Sequence, residues 1–523
     1  MEAHNAAVAA IEASVRSFSE LQQLFRLYHG STNSTRDSPR YPDNTVDISK
    51  LNHVLCIDIE SKTATVEPNV PMDALLKATL ERDLVPLVVM EFPGITVGGG
   101  FSGTSGESSS FRYGFFDGTV NWIEIVLANG TTTRASRTEK PDVFWGAASS
   151  FGTLGVVTML EVRLREATKY VELTYYPALD MVEAMKIIEA ETANPTVDYL
   201  DGIIFAQDSI VICSGRLTSS LPAGSAVQQF TRRSDPWFYV HVQKLIARST
   251  TTGTSGASRE SRAITEHVPL VDYLFRYDRG GFWVGRYAFR YFVTPFNRIT
   301  CFLLDRFIHT RVMYHALHAS GQSRMYIIQD VALPYDAAPE FSEWLDDTFG
   351  LYPLWLCPLR QRRDNGRPEA RHGLYANLAD PAASPEFMMN FGVWGPGSKN
   401  RNEFIRQNRL LEQKVDALGG RKWLYAHAYY TKEEFWSIYD QKAYDTLRAK
   451  YGASYLPSVY NKVKVDIEAE ERAIQTSWIA WLLWLFWSIW PLSGLYGVYK
   501  AWRGGEYMLQ KESSASIQAL KED

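Results

Sequence analysis

PGITVGGGFSGTSGESSSFRYG, residues 93–114, sets seven glycines among small hydroxyl side chains. Such a stretch lets backbone N–H groups approach an anion with no side chain in the way. Gly98, Gly100 and Gly103 satisfy the spacing GxGxxG, but that fingerprint has meaning only between a strand and a helix of a βαβ unit. Here Gly103 is followed by Thr104, Ser105, Gly106, Glu107 and Ser108, a poor helix start. The segment therefore reads as a loop lying against a ligand and not as a Rossmann turn. An ordinary solvent-facing linker of the same composition is the plain alternative.

Upstream, residues 45–70 read as two short strands, TVDIS and ATVEP, around the apolar VLCIDI, followed by a helix over 71–85 with Pro71 near its start. Downstream, WIEIVLANGTTTRAS is a strand, an Asn129-Gly130 turn and a second strand. FGTLGVVTMLEVRLREA, residues 151–167, alternates apolar residues toward its end and closes this unit in a strand. At the front, Val8, Ile11, Val15, Phe18, Leu21 and Phe25 recur at steps of three and four, the pattern of a helix with one buried face. A second small-residue stretch follows it, with Gly30, Ser31, Thr32, Asn33 and Ser34 able to cradle a pyrophosphate through N–H and hydroxyl donors.

The chain has 523 residues, enough for two to four domains, and its 46% apolar and 22% charged residues are those of a folded protein. A net charge of -5 provides no field for a polyanion, so nucleic acid is not an expected partner. The scattered Cys56, Cys213, Cys301 and Cys357 argue against structural zinc and against a disulfide framework. No secretory signal and no internal repeat are visible. Beyond about residue 170 the pattern changes to long helical stretches and aromatic strands, and STTTGTSGAS at 249–258 has the composition of a surface linker.

Ser477 to Tyr499 runs 23 residues without a charge, and about 20 suffice to cross the hydrocarbon of a bilayer. A membrane segment is the expectation. Trp478, Trp481, Trp484, Trp487 and Trp490 step by three, and Pro491 is placed to break the helix, so a monotopic or hairpin anchor is an open alternative, as is a buried helix. Lysines and arginines beyond both ends leave the topology undetermined.

The order of helix, small-residue turn, paired strands, glycine-rich loop and FGTLG strand resembles the FAD-binding (PCMH-type) domain of the vanillyl-alcohol-oxidase type. The wording of VEPNVPM, TVGGGFSGTSGESSSFRYG, FGTLG with EVRL, PWFYVHV, DYLFRYDRGGFW, YPLWLCP and LYAHAYYTKEEFW is similar to one branch, the Δ24-sterol reductases. The resemblance covers about residues 40–463. It implies non-covalent FAD, NADPH as electron donor, and reduction of a side-chain double bond of a sterol or related isoprenoid at a membrane such as the endoplasmic reticulum, with the flavin domain on the cytosolic side.

The same resemblance implies which residues hold FAD. Thr96 through Ser108 form the principal loop, with Val97, Gly98, Gly99, Gly100, Phe101, Gly103 and Gly106 giving close backbone approach and Ser102, Thr104, Ser105 and Glu107 polar contacts. Gly30 to Ser34 form the first pyrophosphate turn, and Gly152, Gly155 and Val157 the strand beside the flavin. Covalently flavinylated relatives often place a histidine late in that first turn, where this chain has Thr32 and Asn33, while His29 precedes Gly30. Dissociable FAD follows. The chain departs from the family in its C-terminal hydrophobic segment, in the 249–258 insertion and at His427, where the family carries an acid.

The expected fold is α+β: an FAD-binding domain at 1–168, a substrate-binding cap domain at 169–463, a charged linker at 464–476, the membrane segment at 477–499 and a polar tail at 500–523. Reducing an unactivated alkene needs an acid to protonate one carbon as hydride reaches the other, and aromatic faces to steady the developing cation. Tyr425 and His427, on one face of an expected strand WLYAHAYY with Tyr429, are the leading proton-donor candidates. Glu107 and Tyr113 are further ones, Glu434 fits a capping box with Thr431, and Arg276, Arg279 and Arg286 are candidates for nucleotide phosphates. An alcohol oxidase or dehydrogenase of the same superfamily, and a membrane-tethered flavin scaffold, are the alternative functions. Oligomeric state is left open.

Overall fold

The structure is a computed structural model, and it describes residues 1–30, 34, 36, 41–251, 263–467 and 489–505. The helix Glu2–Glu20 buries Val8, Ile11 and Val15, as the three-four spacing requires. Leu21 falls outside that helix and is exposed. A six-stranded sheet follows. Along its main path run Val54–Asp58, Thr63–Val66, Gly155–Glu166, Val120–Leu127 and Thr132–Ser136, with Leu84–Pro86 paired to the far end of Gly155–Glu166. The Asn129-Gly130 turn forms as expected, with Gly130 at φ +79°. A Cβ there would stand 2.9 Å from Arg16 Cβ, so glycine also lets the hairpin tip seat on the first helix.

The second sheet has eight strands in the order Ile264–Pro269, Tyr170–Ala178, Ser209–Thr218, Tyr199–Ala206, Leu354–Arg360, Phe387–Pro396, Tyr326–Pro334 and Arg421–Lys422. All its pairings are antiparallel. Helices Met181–Ala193, Ala338–Phe349 and Arg401–Ala417 cover one face, packing Ile188, Phe341 and Leu411 on Leu356, Phe391 and Val331. Strand alternation then turns Asp330, Trp355, Asn390 and Trp394 to the opposite face. Residues 440–463 return to the first sheet's side, where Tyr444 Oη lies 2.7 Å from Thr153 Oγ1 and the Tyr455 hydroxyl donates to the Ala128 carbonyl at 2.7 Å.

Two sequence expectations change. Val97–Gly103 is a helix and not a loop, because Thr96 caps it, its Oγ1 accepting from Gly99 N at 3.1 Å. Close packing replaces weak propensity there, since a Cβ on Gly98 would meet Pro68 Cβ at 2.6 Å and one on Gly100 would meet Met90 Cε at 2.4 Å. WLYAHAYY is not a strand: regular pairing stops at Lys422 and returns only as a bridge from Ala428 to Lys464, so Tyr425, His427 and Tyr429 share no strand face. Near the C-terminal end a turn at 489–491 precedes the helix Leu492–Arg503, with Pro491 at its N-cap, the position where the sequence offers a break. That helix packs on Thr310–Ser320, where a Cβ on Gly497 would stand 2.5 Å from the Ala316 carbonyl oxygen.

No helix among the described residues is long and apolar enough to cross a membrane. Residues 477–488 of the expected membrane segment lie outside the described residues, as do 468–476 of the charged linker and 506–523 of the tail. Of the 249–258 insertion, 249–251 end the helix Phe238–Thr251 and 252–258 are outside the described residues.

Candidate flavin cleft

A cleft of about 320 Å³ opens between the two sheets. Its floor is the glycine segment: Thr96, Gly98, Gly99, Ser102, Gly103, Thr104, Ser105, Gly106 and Glu107 all line it, and Gly152, Gly155 and Val157 line it from the neighbouring strand. Gly103 is open on this side, the nearest atom to a Cβ there being Phe151 Cε1 at 3.7 Å. Thr104 ends the capped helix in the left-handed region, at φ 56°, and its buried Oγ1 has no hydrogen-bond partner among the described residues. An orphaned hydroxyl beside bare backbone is what a dinucleotide's oxygens would satisfy, so the residues present fit FAD.

The other expected FAD contacts are placed differently. Val97 and Phe101 are buried in the core, Phe101 with its ring centroid 5.6 Å from that of Phe144, and Gly100 faces Met90 and Phe116. Ser108 is buried beside Glu91 and Tyr273. Gly30 adopts φ +81° and adjoins the cleft through His29, while Ser34 lines it directly. Ser31, Thr32 and Asn33 lie outside the described residues. Near this turn the cleft is basic, with Arg26, Arg36 and Lys462 on its wall. Arg36 Nε and Ser34 Oγ both donate to the Tyr425 carbonyl, at 3.1 and 2.6 Å.

Three carboxyl groups, Glu91, Glu107 and Asp330, face the cleft. Burial, reinforced by the neighbouring charge of Glu91, raises the Glu107 carboxyl well above the ordinary carboxylate range. Burial also pushes Glu91 up to about 7, opposed by Arg276, whose Nη2 is 2.9 Å from Glu91 Oε1. Asp330 is raised by burial against hydrogen bonds from Tyr425, Asn390 and Trp394. Gly392 makes the room for this group, since a Cβ there would stand 3.0 Å from Trp355 Cβ and 3.1 Å from Asp330 Oδ1.

Of the two expected proton donors, Tyr425 lines the cleft and donates its hydroxyl to Asp330 Oδ2 at 2.6 Å. His427 does not line the cleft: its carbonyl accepts from Gln329 Nε2 at 3.2 Å and from Lys422, and its ring sits 6.4 Å from that of Tyr429. Glu434 closes the capping box with Thr431 and pairs with Arg409. Arg276 and Arg279 are buried, the first on Asp201 and Glu91, the second on Asp305 and backbone carbonyls, so neither is presented to a nucleotide. Sequence reasoning missed Asp330, Glu91 and the basic trio; the one available signal was Asp330 as a lone acid in the apolar strand YIIQDVALP. Phe92, Phe282, Tyr314 and Trp394 form an aromatic wall, with centroids 5.2 Å apart for Phe282 and Trp394 and 5.7 Å for Phe92 and Trp394.

A family described as an FAD binding domain matches residues 5–136. Delta(24)-sterol reductase of Homo sapiens is 27% identical over 427 residues, covering 79% of this chain and 76% of that protein. Delta(24)-sterol reductase of Arabidopsis thaliana is 27% identical over 457 residues, covering 82% and 77%. Cytokinin dehydrogenase 6 of Oryza sativa subsp. japonica is 27% identical over 132 residues, only 24% of this chain and 25% of that one.

Proposed function

We propose that this chain, similar to the Delta(24)-sterol reductases over about four fifths of its length and carrying an FAD-binding domain, is an FAD-dependent oxidoreductase that reduces a carbon–carbon double bond in the side chain of a sterol or related isoprenoid. The observation that carries the reading is the meeting of a glycine-lined cradle with a buried carboxyl, Glu107, and an aromatic wall in one cleft. The glycine segment from Thr96 to Glu107 would hold FAD, which in its reduced form would provide the hydride for one alkene carbon. The protein's task is the complementary one.

A proton must reach the other carbon, and Glu107, which lines the cleft with its carboxyl raised by burial well above the ordinary carboxylate range, is the acid placed to give it. Tyr425 is a weaker acid than an ordinary tyrosine: burial and the Asp330 charge raise its hydroxyl well above the usual range. It therefore positions Asp330 and closes the cleft wall. The faces of Trp394, Phe282 and Phe92 would steady positive charge on the alkene, and Arg26, Arg36 and Lys462 on the cleft wall would supply countercharge to the phosphates of a bound FAD.

NADPH as electron donor, dissociable FAD and residence at a membrane such as the endoplasmic reticulum belong to the same proposal. Exposed Trp490, Leu495, Tyr499 and Trp502, next to Lys500 and Arg503, support a membrane-facing C-terminal end. The test is purification in detergent, a visible-absorbance spectrum, and incubation with NADPH and a Δ24 sterol. The expected result is bound flavin and a saturated side chain. Bound flavin with oxygen consumption, peroxide release and no alkene reduction would instead favour an oxidase.

A further inference from the structure

Behind the aromatic wall lies a second cavity, of about 140 Å³, that shares Phe92, Tyr314 and Trp394 with the flavin cleft. Helices Val284–Tyr291, Thr310–Ser320 and Leu492–Arg503 enclose it, presenting Ala288, Phe292, Met313, Leu317 and Val498. No charged side chain lines it among the described residues. Three of its polar side chains are engaged elsewhere: Thr310 Oγ1 donates to Asp278, Ser320 Oγ to the Leu317 carbonyl at 3.1 Å, and Gln322 Nε2 to Ser493 Oγ at 3.0 Å. The C-terminal helix closes one side because Gly494 and Gly497 let it sit against Tyr291 and Ala316.

We propose that this chamber receives the hydrocarbon skeleton next to the reacting alkene, so that the C-terminal helix forms part of the substrate site. The proposal rests on the sterol-reductase reading above and adds the subsite. An apolar cavity of about 150 Å³ holds a six-carbon ring, so the chamber takes a segment of a larger skeleton. Adjacency to the cleft supplies the occupant: Phe92, Tyr314 and Trp394 line both spaces, so hydrocarbon attached to an alkene lying against Trp394 and Tyr314 has this chamber as its nearest apolar space.

Two measurements test it. Ala288→Trp and Val498→Trp each fill the chamber from a different helix without touching the flavin cleft. In holoprotein of unchanged flavin content, both should weaken binding of a radiolabelled Δ24 sterol by roughly tenfold or more. In the unaltered protein, a Δ24 sterol carrying a photoreactive diazirine on its ring system should label residues 284–292, 310–320 or 492–503. Flavin-loaded variants that bind within about twofold of wild type, labelling confined to other segments, or no sterol binding at all would overturn the chamber. If labelling falls as expected but no alkene is reduced, the chamber stands and the catalytic reading fails. If sterol is reduced but labelled elsewhere, the catalytic reading stands and the chamber falls.

Discussion

Tyr425 ties the two halves of the cleft together: its hydroxyl donates to Asp330 Oδ2 at 2.6 Å, while its carbonyl accepts from Ser34 Oγ at 2.6 Å. Only the first bond needs the phenol oxygen. Tyr425→Phe should therefore leave the Ser34 turn and the flavin spectrum intact. It leaves a buried carboxyl with one partner fewer, a loss of about 1–3 kcal/mol of stability, to be read from denaturant midpoints. Alkene reduction should slow far less than in the variant considered next, because the phenol is not the acid.

Glu107→Gln keeps the shape of the side chain and removes its proton. Loss of a general acid costs roughly 10²–10⁴ in rate. Alkene reduction should fall by that order, while flavin content and the rate at which NADPH bleaches the flavin are unchanged. Stopped-flow absorbance and product analysis separate the two half-reactions. An equal loss in both would point to a misplaced flavin and not to a missing acid.

The pH dependence follows from the same carboxyls. Glu107 acts as its neutral form, so the alkene-reducing step should be flat on the acid side and decline as pH rises through the raised pKa, the decline vanishing in Glu107→Gln. Glu91 adds a pH-dependent contribution to stability. Its carboxyl goes from 4.5 to about 7 on folding, so the folded chain binds the proton more tightly than the unfolded one. The resulting stability is complete below the lower value and is lost as pH rises through the upper one. Tm should fall across that window, and fall less in Glu91→Gln.

How far the sequence reveals this site depends on how local each signal is. Thr96 to Ser108 declares itself because glycines at a ligand are bunched in one segment. Its helical form does not, since the packing of Gly98 on Pro68 and Gly100 on Met90 involves partners several residues to tens of residues away. The hairpin at Asn129-Gly130 and the Thr431–Glu434 capping box are short-range and read directly. Asp330 and Asn390 become neighbours, with Asn390 Nδ2 donating to Asp330 Oδ1 at 3.0 Å, only through pairing of strands 60 positions apart. Tyr425 carries strand-like alternation yet sits in a turn, because its carbonyl is claimed by Ser34 and Arg36 instead of a neighbouring strand.

Two glycines of the cradle should respond differently to the same change. A Cβ at Gly100 would approach buried Met90 Cε to 2.4 Å and Phe116 Cδ1 to 3.1 Å, so Gly100→Val overpacks the core and should cost about 1–3 kcal/mol. At Gly103 the nearest neighbour is at 3.7 Å and the open side is the cleft. Gly103→Val should fold with a near-normal Tm in the absence of flavin and yet come out colourless. Thermal shift with and without added FAD distinguishes them: the Gly100 variant starts lower and still gains from FAD, and the Gly103 variant gains nothing.

Arg276 separates a structural arginine from a nucleotide-binding one. Its guanidinium is fully buried, with Nη2 2.8 Å from Asp201 Oδ2 and 2.9 Å from Glu91 Oε1, and it lies 4.1 Å from the centre of the Tyr273 ring. Asp201 also accepts from the Tyr277 hydroxyl at 2.8 Å and from Trp355 Nε1 at 3.1 Å, so the arginine anchors an ion pair within an aromatic shell. Arg276→Met leaves two acids buried without their cation, and breaking such a group costs about 3–5 kcal/mol. A contact to NADPH phosphate would raise KM for NADPH and leave Tm alone. The structure predicts the reverse, a large drop in Tm with KM for NADPH unchanged in the folded fraction. Because the Arg276 charge also lowers the pKa of Glu107, its removal should move the alkaline decline of alkene reduction to higher pH.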